Sequence, residues 1–426
     1  MQNVKIKITP QMFLDLSIIC YMCCNAVRFA IYRFTLFVDF SYTITYFLIY
    51  GFLLIYLYRS KRWFTKATMF IIVLLLVFLG ITCLNHQEYI PIFFEKSSDW
   101  KTNQIITQQV FAFASGFTIL PIICLYSEPE NFMKSMTIVA TINSIYYIFL
   151  YLTNNFSTTQ STITSNDTYS GTMGYYSLFP LFILFYNVIN STKLLYRIIS
   201  GFISIIMFWM VLTSGVRGPL ICIVIFCFMY LMFGIDYKFK KPAKFGITLL
   251  SVVLGYFCMS SDFLIKIGLF LSKLGIKSRS INALMNGIIA DDNGRDLIKY
   301  KAYSLISEGG AFGSGFCSSR YYYGGSYPHN IFLEVLIDMG YIGGSIFIIL
   351  LFIGFIMFFI YVQNFKWRYA FITLFSCALG KLLVSASLWS DTNFWGTIAI
   401  GITAVKYSLK ERVNSVSASP TQIKPT

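Results

Sequence analysis

Long apolar runs recur along the whole chain and constrain its fold more than any other feature. The 426-residue sequence is 57% hydrophobic and 12% charged, whereas soluble globular chains are about 45–50% apolar and about 25% charged. Runs of about 18 apolar residues can cross a bilayer as helices, which satisfy their own backbone hydrogen bonds in lipid. Strands of a membrane barrel would instead be about 10 residues long with alternating polarity. The sequence therefore predicts an all-α polytopic membrane protein.

Twelve runs are predicted to be transmembrane helices. They occupy residues 12–30, 41–58, 67–84, 105–126, 132–153, 174–190, 196–214, 218–236, 245–260, 339–362, 367–386 and 392–409. Asp15 and Arg28 lie inside the first run and make it the weakest. No cleavable signal peptide is evident after the basic N-terminus.

These runs divide the chain into four parts. Residues 1–260 hold helices one to nine, and residues 339–409 hold helices ten to twelve. Between them, residues 261–338 form one large outer loop that carries short helices and the helix that returns to the membrane. Residues 410–426 form a tail.

Lysine and arginine are spread unevenly between the predicted loops. The loops at 59–66 and 238–244 are rich in cations, whereas residues 154–173 contain none. Cation-rich loops stay in the cytoplasm, so both termini are predicted to be cytoplasmic. The long outer loop is also basic, which is tolerated because long loops cross the membrane largely regardless of charge. Its cations indicate an anionic ligand such as a phosphate or pyrophosphate, or alternatively a solvated face. Nucleic acid is not an expected partner, since no binding motif appears.

The first candidate cluster is the turn Ser214-Gly215-Val216-Arg217-Gly218-Pro219 between two predicted helices. The helix count puts Arg217 at the outer membrane boundary, where a cation is costly and tends to mark a site. Its planar guanidinium matches phosphate oxygens. The alternative is an arginine that merely extends to the interface.

The second cluster is Asp291-Asp292-Asn293-Gly294-Arg295-Asp296. Asn293-Gly294 indicates a turn, and a helix is predicted to follow it. Arg295 would lie in the first turn of that helix, where an anion is favoured. Asp291, Asp292 and Asp296 are weak candidates for a metal site, since adjacent aspartates point apart; they are equally suited to capping the helix.

The third cluster joins Gly313-Ser314-Gly315 to Tyr327-Pro328-His329-Asn330 at the end of the loop. His329 is the imidazole near the other clusters and is suited to act as a general base. Glu334 and Asp338 lie four residues apart on the following helix and either orient partners or repel each other. His86, in another outer loop, lacks comparable sequence neighbours. Cys317 is the one cysteine predicted to be exposed in the large loop.

In this order and spacing, the three clusters resemble those of the Wzy O-antigen polymerase and WaaL O-antigen ligase superfamily. The resemblance rests on Ser214-Gly215-Val216-Arg217-Gly218, Arg295, Gly313-Ser314-Gly315 and His329-Asn330, and it covers about residues 165–360. Val216 stands where the family commonly has serine, and the proline expected before the glycine pair is absent.

The resemblance implies a metal-independent membrane glycosyltransferase of the GT-C kind in the bacterial inner membrane, with its active site facing the periplasm. Its donor and acceptor would be oligosaccharides on undecaprenyl pyrophosphate within the membrane lipid, with a chain-length regulator protein as a further partner and no cofactor. His329 would be the catalytic base. The substrate-binding residues would be Arg217, Arg295, Asn330, Arg279, Arg320 and Tyr327.

Three other readings stay open from the sequence. A polymerase and a ligase share the donor and differ in the acceptor, a lipid-linked repeat unit or a lipid A core, and we favour the polymerase on resemblance alone. A lipid-linked oligosaccharide flippase or transporter would also suit the helix count. In a different membrane glycosyltransferase, Asp39 in the first outer loop would be the base.

Overall fold

The computed structural model describes residues 8–35, 38–89, 115–153, 171–214, 217–234, 266, 269, 273, 295–324 and 326–417. Within these ranges, positions 34–35, 38–40, 42, 115, 171, 217, 295 and 415–417 are described by their backbone alone. Every regular element in this part of the chain is a helix, which confirms the all-α class there.

Fourteen α-helices occur in the described ranges. They are α1 (Pro10–Met22), α2 (Cys24–Thr35), α3 (Val38–Ser60), α4 (Lys66–Asn85), α5 (Ile119–Cys124), α6 (Pro129–Leu152), α7 (Gly171–Asn190), α8 (Leu194–Thr213), α9 (Arg217–Met229), α10 (Arg295–Gly309), α11 (Ser318–Tyr322), α12 (Ile331–Tyr361), α13 (Phe365–Leu382) and α14 (Thr392–Ser417). Short 3-10 helices add Gln87–Tyr89 and Ser115–Thr118, and a π-helical turn, Tyr230–Gly234, extends α9.

Six helices in the described ranges are long and apolar enough to cross a membrane. They are Thr43–Ser60, Lys66–Asn85, Pro129–Leu152, Thr172–Asn190, Leu194–Thr213 and Ile331–Tyr361, and the bent pair α1–α2 would make a seventh. These helices are compatible with a membrane protein, but the predicted count of twelve is not reproduced. The run 245–260 lies outside the described residues, 105–126 is described only from residue 115 as two short helices, and α13 carries three cations.

The helices differ in how much of their surface the protein covers. Only 11% of the α4 window is buried, compared with 61% of the α7 window. Apolar side chains on α4 such as Phe70 and Leu74 are therefore exposed, as expected for a lipid-facing helix. The core lies where α13 packs against α9 and α14, and it contains the fully buried Trp367 and Tyr369.

The first predicted run is two helices rather than one. α1 and the following helix are bent by 83° at Cys23. The Asn143 side-chain amide donates to the Met22 carbonyl (3.1 Å) at this bend. Asp15 lies inside α1 because its Oδ1 accepts hydrogen bonds from the Tyr126 and Ser135 hydroxyls, both 2.9 Å away. The predicted run 12–30 is therefore divided at Cys23, beside polar partners that come from distant segments.

A second break divides α12 at Gly340, whose φ is 70° and ψ is −175°. We call residues 331–339 the first segment and residues 341–361 the second segment. In a continuous helix the N–H groups of Tyr341 and Ile342 would donate to the carbonyls of Ile337 and Asp338. Here they donate instead to Gly310 (3.1 Å) and Ala311 (3.0 Å).

The two carbonyls released by this break are satisfied by the same loop. The Ile337 carbonyl accepts from the Ser314 N–H and the Asp338 carbonyl from the Gly315 N–H, both at 2.9 Å. The loop 310–315 thus replaces two helical hydrogen bonds with four between segments, so the break leaves these backbone groups paired. The close approach of this loop to α12 requires glycine at position 313, since a Cβ there would lie 2.3 Å from the Gly340 nitrogen.

The described part of the large loop packs on the first segment of α12. Ala302, Leu305 and Ile306 of α10 form a buried apolar cluster with Ile337. The following short helix α11 also contacts α12. The loop residues that carried the sequence argument are therefore held against the helix that follows His329.

Candidate functional site

Two buried carboxylates on the first segment of α12 organise the region. Asp338 is fully buried, and its Oδ1 accepts from the Ser318 hydroxyl (2.8 Å) and the Ser319 N–H (2.9 Å). Its Oδ2 accepts from the Trp389 indole N–H at 2.6 Å. One turn earlier, Glu334 is 1% exposed and accepts from the Ser387 hydroxyl and, at 2.7 Å, the Leu388 N–H.

These hydrogen bonds decide between the two roles left open for the acidic pair. A buried carboxylate is tolerated only when hydrogen-bond donors surround it, and Asp338 and Glu334 have five between them. A hydrogen bond of this kind contributes about 0.5–1.5 kcal/mol. The pair orients partners: it ties residues 387–389, between α13 and α14, to residues 318–319 of the large loop.

Tyr327 connects the predicted histidine segment to the same inter-helix loop. Its hydroxyl donates to the Ser385 carbonyl at 2.7 Å. The Arg320 guanidinium carbon lies 4.5 Å from the centre of the Tyr327 ring, and the His329 ring centre lies 4.4 Å from it. The Tyr327 ring thus contacts both a cation and the imidazole. Burial raises the pKa of Tyr327, while Arg320 and Lys381 oppose the shift, so the phenol remains a donor at neutral pH.

The backbone of the Tyr-Pro-His-Asn segment is strained at the histidine. His329 has a φ of 56°, a left-handed backbone conformation that is uncommon for residues other than glycine. Asn330 follows as the N-cap of α12, with its Oδ1 accepting from the N–H groups of Phe332 (2.9 Å) and Leu333 (3.3 Å). Strain of this kind clusters at functional sites, and the Asn330 cap and the Tyr327 hydrogen bond hold the histidine between them.

Cys317 and Arg320 are buried, contrary to the exposed position predicted for this cysteine. Cys317 is 3% exposed and Arg320 is 7% exposed. The hydrogen bonds from Ser318 and Ser319 to Asp338 draw residues 317–320 into the protein. Burial raises the pKa of the Cys317 thiol well above its ordinary value. The local sequence does not predict this burial, because Asp338 lies about twenty residues further along.

Gly218, at the start of α9, approaches the inter-helix loop that Tyr327 contacts. A Cβ on Gly218 would lie 1.7 Å from the Tyr175 hydroxyl oxygen and 3.0 Å from Val384 Cγ2. Val384 is the neighbour of Ser385, whose carbonyl accepts from Tyr327. The backbone that begins α9 and the histidine segment, more than a hundred residues apart, therefore meet at residues 384–385.

Three of the predicted binding arginines are not described at the level of side chains. Arg217 begins α9 and Arg295 begins α10, each by its backbone alone, and Arg279 lies outside the described residues. Asp291 and Asp292 also lie outside them, and the side chain of Asp39 is not described. No cluster of three His, Cys, Asp or Glu suited to a metal ion occurs in the described ranges.

A cavity of about 300 Å³ with several polar side chains in its lining adjoins this junction. Its lining includes Arg28, Tyr175, Lys381 and Asp391. The Lys381 ammonium lies 3.1 Å from Asp391 Oδ2 and 6.0 Å from the centre of the Tyr175 ring. The sequence reading missed this ion pair. Lys381 lies inside the apolar run 367–386, and an ionisable residue in such a run is itself a signal of a site.

The second histidine has structural neighbours that its sequence context did not reveal. His86 stacks on Tyr89 with ring centres 4.8 Å apart, and its Nδ1 lies 3.2 Å from Glu88. Tyr89 in turn contacts Tyr321 of the large loop, with ring centres 4.7 Å apart. This aromatic group is separate from the Tyr327–His329 contact.

No protein-family model, curated protein or solved structure matches this chain.

Proposed function

We propose that the protein is a membrane glycosyltransferase that polymerises a surface polysaccharide such as O-antigen, moving a glycan from undecaprenyl pyrophosphate onto a lipid-linked repeat unit. The observation that carries the proposal is that Gly218, which follows Arg217, and Tyr327 of the histidine segment both lie against residues 384–385. These residues belong to two of the three clusters on which the resemblance to the polymerase and ligase superfamily rests.

In the proposed reaction, an acceptor sugar hydroxyl attacks the anomeric carbon of the donor. The bond from that carbon to the pyrophosphate oxygen breaks, and undecaprenyl pyrophosphate leaves. His329 takes the proton of the attacking hydroxyl. Arg217 and Arg295 bind the pyrophosphate and stabilise its developing charge, with Arg279 as a further cation, and no metal is required.

The described neighbours of His329 have supporting roles in this proposal. Tyr327 restrains the imidazole by ring contact, and Asn330 fixes the start of α12. Arg320, 4.5 Å from the Tyr327 ring, adds positive charge on the side of the ring where the donor is proposed to bind. The lipid chain stays in the bilayer, and the reaction takes place at the periplasmic surface of the inner membrane.

Two alternative functions would use the same region of the protein. A ligase would use the same residues with a lipid A core as the acceptor. A lipid-linked oligosaccharide flippase is favoured by one observation, the cavity with Arg28 and Lys381 lining it among apolar helices, since charged residues at membrane depth also mark transport pathways.

The test is deletion of the gene in its host, followed by complementation with variants at equal protein level. Core carrying a single repeat unit supports the polymerase, and full-length chains left on the carrier support the ligase. Repeat units that accumulate on the cytoplasmic side indicate the flippase. Unchanged polysaccharide rejects all three.

Variants test the proposed site within that experiment. His329→Ala should slow transfer about 10²- to 10⁴-fold, the usual contribution of a general base, whereas the matched control His86→Ala should not. Arg217→Lys should impair transfer because lysine lacks the planar fork. Asp39→Asn tests the alternative base: loss of transfer there, with His329→Ala active, would replace the proposed mechanism.

A further inference from the structure

The cavity beside the candidate site is lined by both polar and apolar side chains. It lies between the α1–α2 bend, α3, α6, α7 and the junction of α13 with α14. Its described lining includes six tyrosines and three asparagines. Polar groups inside a membrane protein usually face a water-filled space or a ligand. A volume of about 300 Å³ is at the small end of the range for ligand pockets, about 300–1,000 Å³.

The Lys381–Asp391 ion pair gives the cavity directed hydrogen-bonding groups. Asp391 has no exposed side-chain surface, whereas 29% of the Lys381 side chain is accessible. Asp391 is fixed because its Oδ1 also accepts from the Phe394 N–H at 2.8 Å and caps α14. An ammonium has three N–H donors, and Asp391 is the one described acceptor within hydrogen-bond distance of Lys381. Lys381 therefore presents donors to the cavity from a fixed position.

The remaining lining suits a ligand with many hydroxyl groups. Asparagine side chains both donate and accept, and Asn25 of α2 and Asn393 of α14 both line the cavity. Tyrosine offers an apolar ring face and a polar hydroxyl, so a group of tyrosines can contact the C–H face of a sugar ring while hydrogen-bonding its edge. A purely apolar ligand would offer no acceptor to the Lys381 ammonium, which is unfavourable.

The cavity is also close to the proposed reaction site. The Tyr327 hydroxyl donates to the carbonyl of Ser385, which lies between Lys381 and Asp391 in the chain. Tyr175 belongs to the cavity and also lies beside Gly218 of the 214–218 turn. A ligand in the cavity would therefore adjoin both segments of the candidate site.

We propose that this cavity binds one monosaccharide residue, held through its hydroxyl groups by Lys381 and Asn25 and by the surrounding tyrosine rings. The choice of a sugar as the ligand class rests on the proposed function. The free sugar and the sugar of a lipid-linked chain share this chemistry. Binding of the free sugar is measured directly, without any transfer reaction.

The test measures binding of free glucose, galactose, N-acetylglucosamine and glucuronate to the purified full-length protein in detergent, by saturation-transfer difference NMR. Cys24 lines the cavity, and exposed Cys227 does not. Alkylation of each by N-ethylmaleimide, followed by peptide mass spectrometry, gives a second readout. At least one sugar should give an NMR signal and slow the alkylation of Cys24 but not of Cys227.

A matched pair of double variants tests the ion pair. Lys381→Met with Asp391→Asn removes both charges together, so no single buried charge is left uncompensated, and it should weaken sugar binding about tenfold or more. The control is Lys366→Met with Glu130→Gln, which removes the ion pair at the other end of α13 and should bind as the unaltered protein does. Cys24→Phe, which fills the cavity, should also abolish binding.

The outcomes separate this inference from the proposed function. If none of the four sugars gives a signal or protects Cys24 in the unaltered protein, the inference is overturned, whatever the transfer activity. If sugars bind at the cavity but the complemented strain shows no dependence on His329, the cavity stands and the proposed function fails. Equal sugar binding in both double variants and in Cys24→Phe would place the ligand elsewhere and overturn the inference.

Discussion

The two segments of α12 have contrasting surroundings although they belong to one helix. In the first segment, Glu334, Ile337 and Asp338 are buried among loop residues and the α13–α14 junction. In the second segment, apolar side chains such as Ile349 and Phe352 are more than half exposed. A lipid-facing helix needs no polar partners, whereas a helix with buried carboxylates needs a donor for every oxygen.

The break between the two segments allows one mostly apolar helix to contribute polar residues to the candidate site. The backbone changes direction at Gly340, and the loop 310–315 supplies the hydrogen bonds that the break removes. Irregular backbone at membrane depth is tolerated only where protein or water satisfies it. The break and the loop therefore depend on each other, and the following changes test that dependence in order of expected effect.

Gly340→Ala should be the most damaging change to this helix. Its Cβ would lie 2.2 Å from the Gly313 nitrogen, at a φ of 70° that alanine rarely adopts, and we expect a loss of about 3 kcal/mol or more. The measurement is the yield of monodisperse protein after detergent extraction and its thermal midpoint. Gly354→Ala in the second segment is the control, since nothing lies within 4 Å of its Cβ. Equal yields of the two variants would contradict the structure at the break.

Asp338→Ala should rank second. It leaves the Ser318 hydroxyl, the Ser319 N–H and the Trp389 indole without their buried acceptor, which should cost about 3 kcal/mol. Thermal unfolding followed by tryptophan fluorescence reports both the stability and the environment of Trp389. The control is the exposed Asp296→Ala, expected to be within about 0.5 kcal/mol of the unaltered protein. A silent Asp338→Ala would mean that the acid pair does not tie the loops together.

Two substitutions of Tyr327 distinguish its effect on stability from its effect on the position of His329. Tyr327→Phe removes one hydrogen bond to Ser385, about 1 kcal/mol, but keeps the ring beside His329. Tyr327→Leu removes the ring as well and should slow transfer further, by up to about 10²-fold if His329 is displaced. Transfer rates of the two variants at equal protein level make the comparison. Equal rates would show that the ring does not position the histidine.

Ile349→Ala in the second segment should have the smallest effect and change the free energy of unfolding by no more than about 0.5 kcal/mol. The Ile349 side chain is 56% exposed, so the substitution removes few contacts within the protein. Ile337→Ala in the first segment should lose about 2 kcal/mol, since Ile337 is fully buried. Thermal midpoints of the pair in one detergent provide the measurement. A destabilised Ile349→Ala would indicate that another surface covers the second segment.

Much of the helical framework follows from the sequence alone. The runs 41–58 and 67–84 predicted α3 and α4 to within a few residues. A long apolar segment in lipid forms a helix because a helix satisfies the backbone hydrogen bonds within the segment. The run 339–362 likewise matches the second segment, which begins after Gly340. The sequence also singled out Tyr327 and His329, through their types and their place at a membrane boundary; their roles in binding and catalysis remain proposals.

The environment of the candidate site depends on contacts between distant segments. Cys317 is buried, α1 ends in a bend, and Lys381 pairs with Asp391 inside a cavity. Each outcome depends on partners from distant segments: Asp338 bonds Trp389 51 positions away, and Asn143 bonds Met22 121 positions away. Hydropathy measures how apolar one segment is, so it predicts which segments form membrane helices. Which polar groups meet within the folded chain is set by packing between segments, and a linear pattern does not encode those contacts.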